Sequence, residues 1–189
     1  MHSMIIDIGA GTADFCVMKG RYPTEEDQRT LPNAGDSVDE QLAKLIRERH
    51  PDAQFSIHMI REWKEKWSFV GEAKNPVTVT VPVKGKATQL DITSEMRSAC
   101  ESLLAPIGET MIDLLTRVEP EYQDQVRNNV ILAGGSSLIS GLTEALEKTL
   151  SELGGGRATV VKDPIFAGSD GGLALARDAT GSDWEKLSA

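Results

Sequence analysis

The stretch from Met4 to Lys19, MIIDIGAGTADFCVMK, constrains the possible fold more than any other part of this chain. Its first three residues are apolar, as in a buried strand, and Asp7 stands where that strand ends. The segment Gly9–Gly11 then turns the chain, and residues 12–18 suit a returning strand. The stretch therefore predicts a β-hairpin whose turn is rich in glycine and flanked by a carboxylate.

Two interpretations of this hairpin are open. Glycines let backbone N–H groups approach an anion closely, and consecutive amides form a concavity that binds anions. A carboxylate beside such a turn can hold hydrated Mg²⁺ against phosphate oxygens. In the simpler interpretation the stretch is a tight hairpin with a solvated Asp7, because glycine-rich turns are common. The stretch by itself favours neither interpretation.

Composition limits the classes of protein to which the chain can belong. Its 189 residues are 26% charged and 40% hydrophobic, with a net charge of −9, which predicts one globular domain with an appended subdomain. An acidic chain lacks the positive surface that nucleic acids require, so we expect no nucleic-acid partner. No apolar run approaches the ~18 residues of a membrane span, and no signal-peptide pattern is present. We therefore expect no membrane insertion and a cytoplasmic location.

The first half of the chain continues with a short strand at 28–32 and two helices. Ser37 and Glu40 have the spacing of a capping box, which predicts a helix from Ser37 to about His50. A second helix is predicted over Ile57–Phe69. The predicted order up to this point is three strands followed by two helices.

A strand hairpin and a long helix come next. Valines at every second position predict a strand at 77–83, and residues 88–92 pair back onto it. A long helix should begin after a Thr93 cap and extend to residue 118, with Pro106 kinking or dividing it. The last predicted elements are a strand at 130–133, a helix bearing Leu138, Leu142, Leu146 and Leu150 on its core face, a strand at 158–161 and a helix at 166–177.

Strands that alternate with helices predict an α/β sheet covered on both faces. The predicted division is a main unit of residues 4–51 and 93–177, and a small α+β subdomain inserted at 52–92. A polar tail follows at 178–189.

Five segments resemble the actin-like ATPases, the superfamily of actin, Hsp70 and sugar kinases, in the same order along the chain. They are DIGAGTAD (7–14), AGDSVDEQL (34–42), WKEKWSFVG (63–71), ILAGGSSLISGL (131–142) and VKDPIFAGSDGGLAL (161–175). Within the superfamily the chain resembles the MamK-type bacterial actins of magnetosome organelles. The resemblance implies the second, ribonuclease H-like domain of the actin fold with its inserted subdomain. The family's first domain and first phosphate loop have no counterpart in it.

The resemblance also implies a partial site for ATP or ADP with Mg²⁺. Asp7 matches the carboxylate that holds the metal through water. The implied nucleotide contacts are the phosphate loop Gly9, Ala10, Gly11 and Thr12, the nucleoside-pocket residues Gly35, Asp36 and Asp39, the adenosine-contacting pair Lys64 and Glu65, and the adenosine motif Gly134, Gly135 and Ser136.

The residues themselves leave simpler interpretations open. An acid such as Asp39 in a first helical turn also stabilises the helix dipole, and an exposed Lys-Glu pair usually forms a solvated face. The sequence departs from the family pattern at two positions. Ala13 stands where a second Thr is usual, and Ser136 stands where another Gly is more frequent.

The family binds ATP between two domains and polymerises. Hydrolysis there needs both phosphate loops and a Gln or Glu that would precede Met4, so we expect no catalysis by this chain alone. The first hypothesis is a truncated cytoskeletal protein that self-associates or joins actin-like filament subunits, in association with magnetosomes. The alternative is a nucleotide-binding lobe of an actin-like ATPase that is inactive without the first domain. An Hsp70-like or sugar-kinase lobe is a weaker third hypothesis.

Overall fold

The computed structural model describes residues 2–20, 23–181 and 184. Within these residues, five strands form one sheet and two form another, with seven α-helices around them. The predicted α/β class is therefore confirmed. Most of the predicted polar tail lies outside the described residues.

The main sheet has the strand order β3-β2-β1-β6-β7. Its strands are β1 (His2–Ile8), β2 (Ala13–Lys19), β3 (Gln28–Leu31), β6 (Val130–Ala133) and β7 (Ala158–Val160). Strand β2 runs antiparallel to both of its neighbours, β1 and β3, whereas β6 runs parallel to both β1 and β7. This arrangement brings the turn after β1 and the turn after β6 to the same edge of the sheet.

The opening hairpin forms as predicted, but β1 begins earlier than Met4. His2 and Ser3 pair with Lys19 and Met18 of β2. Alternate β1 side chains, including those of Met4 and Ile8, are completely buried, which is the pattern expected of a strand with one face on the core.

Helix α1 (Gly35–Arg49) starts two residues before the predicted Ser37, and the predicted capping box is wrong. Ser37 Oγ donates to the carbonyl of Ala34. The first amides of the helix find other acceptors, because Gly35 N donates to Gly9 O (3.1 Å) and Asp36 N to Ala10 O (2.8 Å). Carbonyls of the β1–β2 turn thus cap the helix.

Helix α2 (Ile57–Trp67) has Ser56 as its cap, whose hydroxyl accepts from Met59 N at 3.3 Å. It ends two residues before the predicted Phe69. Strands β4 (Thr78–Val83) and β5 (Lys86–Asp91) follow as the predicted hairpin, in a separate two-stranded sheet. The assignment of residues 52–92 to a distinct subdomain stays a prediction.

The predicted long helix is divided into α3 (Thr93–Glu101) and α4 (Leu104–Thr116). Pro106 falls in the first turn of α4, where its missing N–H costs no helical bond. The predicted Thr93 cap is wrong, because Asp91 Oδ1 accepts both the amide (2.9 Å) and the hydroxyl (2.6 Å) of Thr93. Helix α5 (Pro120–Arg127) was not predicted, since it buries only Val126.

Helices α6 (Leu142–Ser151) and α7 (Ala167–Asp178) follow. The prediction that Leu138 belongs to the core is wrong, because its side chain is 57% exposed whereas Leu142 and Leu146 are fully buried. A 3-10 turn ends at Leu138, and Gly141 then adopts a left-handed conformation before α6 begins. Because the helix is interrupted there, Leu138 does not lie on the buried face that Leu142 and Leu146 share. No helix of the described residues is long and apolar enough to cross a membrane.

Candidate functional site

A cavity of about 750 Å³ lies at the edge of the sheet where the turns after β1 and β6 meet. Five segments distant in sequence surround it. Its lining residues are Gly9, Ala10, Asp36, Arg61, Lys64, Glu65, Ser68, Gly135, Ser136, Leu138, Ile139 and Ile165.

The turn after β1 is fixed from three sides at Gly9. The Gly9 amide donates to Thr12 O (2.9 Å), and the Gly9 carbonyl accepts from both Gly35 N and Ser136 Oγ (2.9 Å). Ser136 therefore ties the turn after β6 to the turn after β1. Ser136 stands where a glycine is more frequent in the family, and its hydroxyl connects two backbone segments here.

The next two residues of this turn leave their backbone donors available. The amides of Ala10 and Gly11 make no hydrogen bond with any described part of the chain. A Cβ added to Gly11 would meet no heavy atom within 4 Å, so the approach to the turn is open. Adjacent free amides on a glycine-rich turn are suited to an anion such as a phosphate.

Two carboxylates face each other across the hairpin beside this turn. Asp7 and Asp14 are direct partners in the β1–β2 register. Asp14 accepts from the hydroxyls of Thr12 (2.8 Å) and Thr30 (2.5 Å), so the Thr12 hydroxyl is directed to Asp14. Partial burial, and then the negative charge of Asp14, raise the pKa of Asp7. A bound cation would relieve both effects.

Asp39 and Lys64 form an ion pair at the base of the cavity. Lys64 Nζ lies 2.9 Å from Asp39 Oδ1 and donates to Gly35 O at 3.0 Å. Only 2% of the Asp39 side chain is exposed, so Asp39 lies beneath the lining and holds Lys64. Arg61 covers the pair, with its guanidinium 3.2 Å from Asp36 and 3.5 Å from Asp39.

Gly134 brings the ends of β1 and β6 into contact. It has a φ of 78°, and a Cβ there would lie 2.4 Å from both Asp7 Oδ1 and Ile8 O. No side chain fits at this position. Gly134 therefore packs behind the cavity, whereas its neighbours Gly135 and Ser136 line it.

The structure thus gathers most of the site residues named from the sequence, but not all of them line the cavity. Those behind or beside it are Asp7, Gly11, Thr12, Gly35, Asp39 and Gly134. Five lining residues were not anticipated, namely Arg61, Ser68, Leu138, Ile139 and Ile165. Leu138 and Ile165 are 57% and 61% exposed. The only signals for them in the sequence were that Leu138 lies two residues after Gly134-Gly135-Ser136 and that Ile165 follows Pro164.

The mixed five-stranded sheet and the cavity between its glycine turns are those of an actin-fold domain. A solved MamK double helical filament matches 94% of this chain with a TM-score of 0.91 and 41% identity. A non-polymerising MamK mutant bound to AMPPNP matches 93% of it with a TM-score of 0.86 and 42% identity. These alignments cover 55% and 54% of the two solved chains.

The family model described as MreB/Mbl protein matches residues 1–179, and the chain belongs to this family. The actin-like protein MamK of Paramagnetospirillum magneticum is 40% identical over 99% of this chain and 54% of its own length. MamK of Magnetospirillum gryphiswaldense is also 40% identical, over 98% of this chain and 52% of its own length. The chain thus spans about half the length of these relatives. The resemblance to MamK-type actins and the actin-family fold are confirmed.

Proposed function

We propose that this chain is an actin-like cytoskeletal protein that contributes to or modulates filaments and carries a partial site for ATP or ADP with Mg²⁺. One observation carries the proposal: the cavity of about 750 Å³ assembles the glycine turns after β1 and β6, the start of α1 and one face of α2. The similarity to MamK, solved both as a filament and bound to AMPPNP, supports both parts of it. It also supports a cytoplasmic, cytoskeletal location in association with magnetosomes.

The residues present fit a magnesium nucleotide. The free amides of Ala10 and Gly11 would bind phosphate oxygens, and Asp7 would hold Mg²⁺ through water. Bound Mg²⁺ would neutralise phosphate charge beside the two carboxylates of the hairpin. Lys64 and Glu65 would face the nucleoside from α2, and the remaining predicted contacts would position them.

The wall of the adenosine part of the site is contributed by the turn after β6. Gly135 lets a nucleoside lie against backbone, because a Cβ there would meet nothing within 4 Å. Leu138 and Ile165 supply exposed apolar surface beside it. Desolvation of this surface by a base would contribute to binding.

Nucleotide affinity of this chain alone should be low. Tight small-molecule sites bury most of the ligand surface, and the residues described supply one wall of such a site. The entropy lost on binding is then offset only in part. We expect a Kd between roughly 100 μM and a few mM.

An alternative function is a nucleotide-binding lobe of an actin-like ATPase that requires a further domain for activity. The solved AMPPNP complex of a non-polymerising MamK mutant favours this alternative as a second candidate. The two candidates differ in one respect, because only the cytoskeletal protein should bind filaments by itself.

Co-sedimentation with preassembled filaments of a full-length MamK-type actin tests the proposal. We expect the chain in the pellet in proportion to the filament, with and without magnesium ADP. A chain that stays in the supernatant at every filament concentration contradicts the cytoskeletal function and supports the isolated lobe. Phosphate release from ATP should equal that of buffer, and release that disappears in Asp7→Ala would show that the chain is catalytic.

A further inference from the structure

A second cavity, the α4–α6 groove, has a volume of about 520 Å³ and lies between α6, the start of α4 and the segment after α2. None of the residues that the structure describes lines both this groove and the candidate nucleotide site. Three apolar and three acidic side chains define the groove, namely those of Val70, Leu104, Ala145, Glu101, Glu144 and Glu152. Its volume lies within the range of ~300–1,000 Å³ that is usual for ligand sites.

Hydrogen bonds hold the walls of the groove in place. Val70 N donates to Ser140 O (2.8 Å), and Ser140 N donates to Ser68 O (3.2 Å), which ties the segment after α2 to the residues before α6. Gly71 N donates to Glu101 Oε1 at 3.1 Å and joins the same segment to the end of α3. The walls are therefore already positioned in the free chain.

Helices α4 and α6 pack closely at one point and leave the groove beside it. A Cβ added to Gly108 of α4 would lie 3.2 Å from Thr149 Cγ2 of α6. One turn earlier on α4, Leu104 lines the groove together with Val70 and Ala145. Val70 is buried, whereas the side chains of Leu104 and Ala145 are half-buried. This apolar lining is therefore open to a partner that would cover it.

Glutamates surround the apolar lining. Glu101, Glu144 and Glu152 line the groove together with one cation, Lys148, so three negative charges and one positive charge give a net charge of −2. Glu144, Lys148 and Glu152 are exposed, and none of them lies within 4 Å of an opposite charge on a described residue. Their charges are therefore available to a partner.

We propose that the α4–α6 groove binds an amphipathic helix of another protein, with apolar side chains on one face and lysines or arginines beside them. Its apolar side chains would cover Val70, Leu104 and Ala145, as in other complexes of a helix in a groove. Glu144 and Glu152 are about 12 Å apart along the axis of α6, and two turns of a bound helix span about 11 Å. Cations at both ends of a two-turn apolar stripe would therefore reach the two glutamates.

The charge of the chain argues against other occupants of the groove. A second copy would bring a net charge of −9 to an acidic groove, and a nucleic acid or an anionic membrane would be repelled in the same way. Because the groove contains no lining residue of the candidate nucleotide site, the proposal does not rest on nucleotide binding or on filament formation.

Binding of a labelled model peptide to the complete chain tests the proposal. The probe is a peptide of leucine and lysine, about four helical turns long, whose leucines recur on one helical face. One control peptide has the same composition with its leucines spread around the helix, and another has glutamate in place of lysine. Fluorescence anisotropy at ~0.1 M salt measures binding.

We expect the probe to bind with a Kd of roughly 10–100 μM, because one helix in a groove buries less than the ~1,200 Å² of stable complexes. Both control peptides should bind at least tenfold more weakly. The peptide with spread leucines tests the apolar contact, and the peptide with glutamates tests the charge.

Charge variants locate the binding site. Glu144→Lys with Glu152→Lys should weaken binding of the probe at least tenfold. Glu48→Lys with Glu121→Lys, at exposed positions outside the groove, makes the same change in net charge. This pair should weaken binding less than threefold, because distant charges are screened at ~0.1 M salt. Lys148→Ala removes the cation of the lining and should strengthen binding about threefold.

A larger apolar side chain tests the groove without a change of charge. Ala145→Phe fills the apolar part of the groove and should weaken binding at least tenfold. Ala105→Phe, at an exposed position of α4 outside the lining, is its matched control and should change binding less than twofold. Lys86→Ala, at the exposed start of β5, is the control for Lys148→Ala. Circular dichroism checks that each variant is folded, and the charge variants decide the outcome if Ala145→Phe is not.

Four results would overturn the proposal. They are a probe that does not bind at up to about 1 mM, a spread-leucine peptide that binds as tightly as the probe, charge pairs inside and outside the groove that weaken binding equally, and a folded Ala145→Phe chain that binds normally. Self-association that Ala145→Phe abolishes would instead assign the groove to a second copy of the chain.

Discussion

Lys64 Nζ lies 2.9 Å from the buried Oδ1 of Asp39 and joins the last turn of α2 to the first turns of α1. Lys64 also donates to Gly35 O, so one ammonium group connects two segments that line the candidate site. A carboxylate with only 2% of its side chain exposed needs such a partner, since an unpaired buried charge is costly.

The first prediction follows from this pair. Lys64→Met keeps the apolar stem and removes the charge, leaving Asp39 with only Arg61 at 3.5 Å. We expect a loss of about 3 kcal/mol in the free energy of unfolding, as for other broken buried pairs. Urea denaturation followed by circular dichroism measures it.

Two further variants make this test specific. Lys66→Met makes the same change at an exposed position of α2. It should alter stability by no more than about 1 kcal/mol, the value of the exposed contact between Lys66 and the Trp67 ring. Adding Asp39→Asn to Lys64→Met should restore part of the loss, because the two residues are coupled. A Lys64→Met loss no larger than that of Lys66→Met would mean that the ion pair contributes nothing to folding.

The second prediction concerns Gly35, which lies where α1 meets the turn after β1. A Cβ at Gly35 would lie 2.8 Å from Ser136 Oγ and 3.2 Å from both Gly9 O and Lys64 Nζ. Gly35→Ala should therefore lower the free energy of unfolding by about 1–3 kcal/mol through overpacking. It should also displace the turn after β1, whose amides are proposed to bind phosphate. We expect a lower thermal midpoint and at least tenfold weaker binding of a fluorescent ADP analogue.

Gly171→Ala, in α7 and outside the site, is the matched control for that substitution, because its Cβ would meet nothing within 4 Å. Its midpoint should not fall, and its nucleotide binding should stay close to that of the unchanged chain. Adding Ser136→Ala to Gly35→Ala removes the nearest clashing atom and should recover part of the midpoint. Equal binding by Gly35→Ala and Gly171→Ala would contradict the assignment of this turn to the site.

Local patterns were sufficient for the strands. Residues 130–133 form β6 as predicted, since a short apolar run between polar segments has few other solutions. The start of α1 could not be predicted from Ser37 and Glu40, because carbonyls of Gly9 and Ala10 reach its amides from about 25 residues earlier in the chain. Contacts of that kind leave no local signature.

The candidate site, too, could be predicted only in part from the sequence. Its glycine turns are recognisable from composition, but the burial of Asp39 beneath Lys64 depends on the packing of α2 over α1. Arg61 and Ile165 belong to no motif and enter the lining only because the fold brings their segments to the same edge. A single sequence does not show which of its distant segments lie close together in the fold.

The third prediction concerns Asp7. Burial and Asp14 raise its pKa, so the folded chain binds this proton more tightly than the unfolded chain does. The charged carboxylate therefore destabilises the fold at pH 7, and this cost disappears as pH falls through the raised pKa toward the ordinary value near 4. Asp7→Asn should raise the thermal midpoint at pH 7. The difference in midpoint between this variant and the unchanged chain should become smaller as the pH falls.

The same substitution should weaken magnesium-dependent binding of ADP, because a neutral amide is a poorer partner for hydrated Mg²⁺. Asp163→Asn, at an exposed position, serves as the control for charge removal. Melting curves between pH 4 and 7, with ADP titrations at pH 7, give both readouts. An Asp7→Asn chain that melts earlier at pH 7 and binds magnesium ADP normally would contradict both roles.

The fourth prediction is that self-association strengthens with salt, and it follows from the net charge of −9. Two such chains whose centres are about 40 Å apart repel by ~8 kcal/mol in water before screening. With Debye lengths of ~30 Å at 0.01 M salt and ~10 Å at 0.1 M, the residual repulsion falls by roughly 2 kcal/mol. Exposed ion pairs across a contact are worth only about 0–1 kcal/mol, so their weakening by salt does not reverse the trend.

We therefore expect the association constant to rise more than tenfold between about 0.01 and 0.1 M NaCl, since 1.4 kcal/mol corresponds to a factor of ten. Sedimentation velocity at fixed protein concentration measures this change. Glu48→Lys with Glu121→Lys, both at exposed positions, moves the net charge from −9 to −5 because each substitution adds two positive charges. If screening of repulsion is the cause, this variant associates more strongly at low salt and responds less to added salt. Association that falls with salt in both chains would instead assign the contact to attraction between opposite charges.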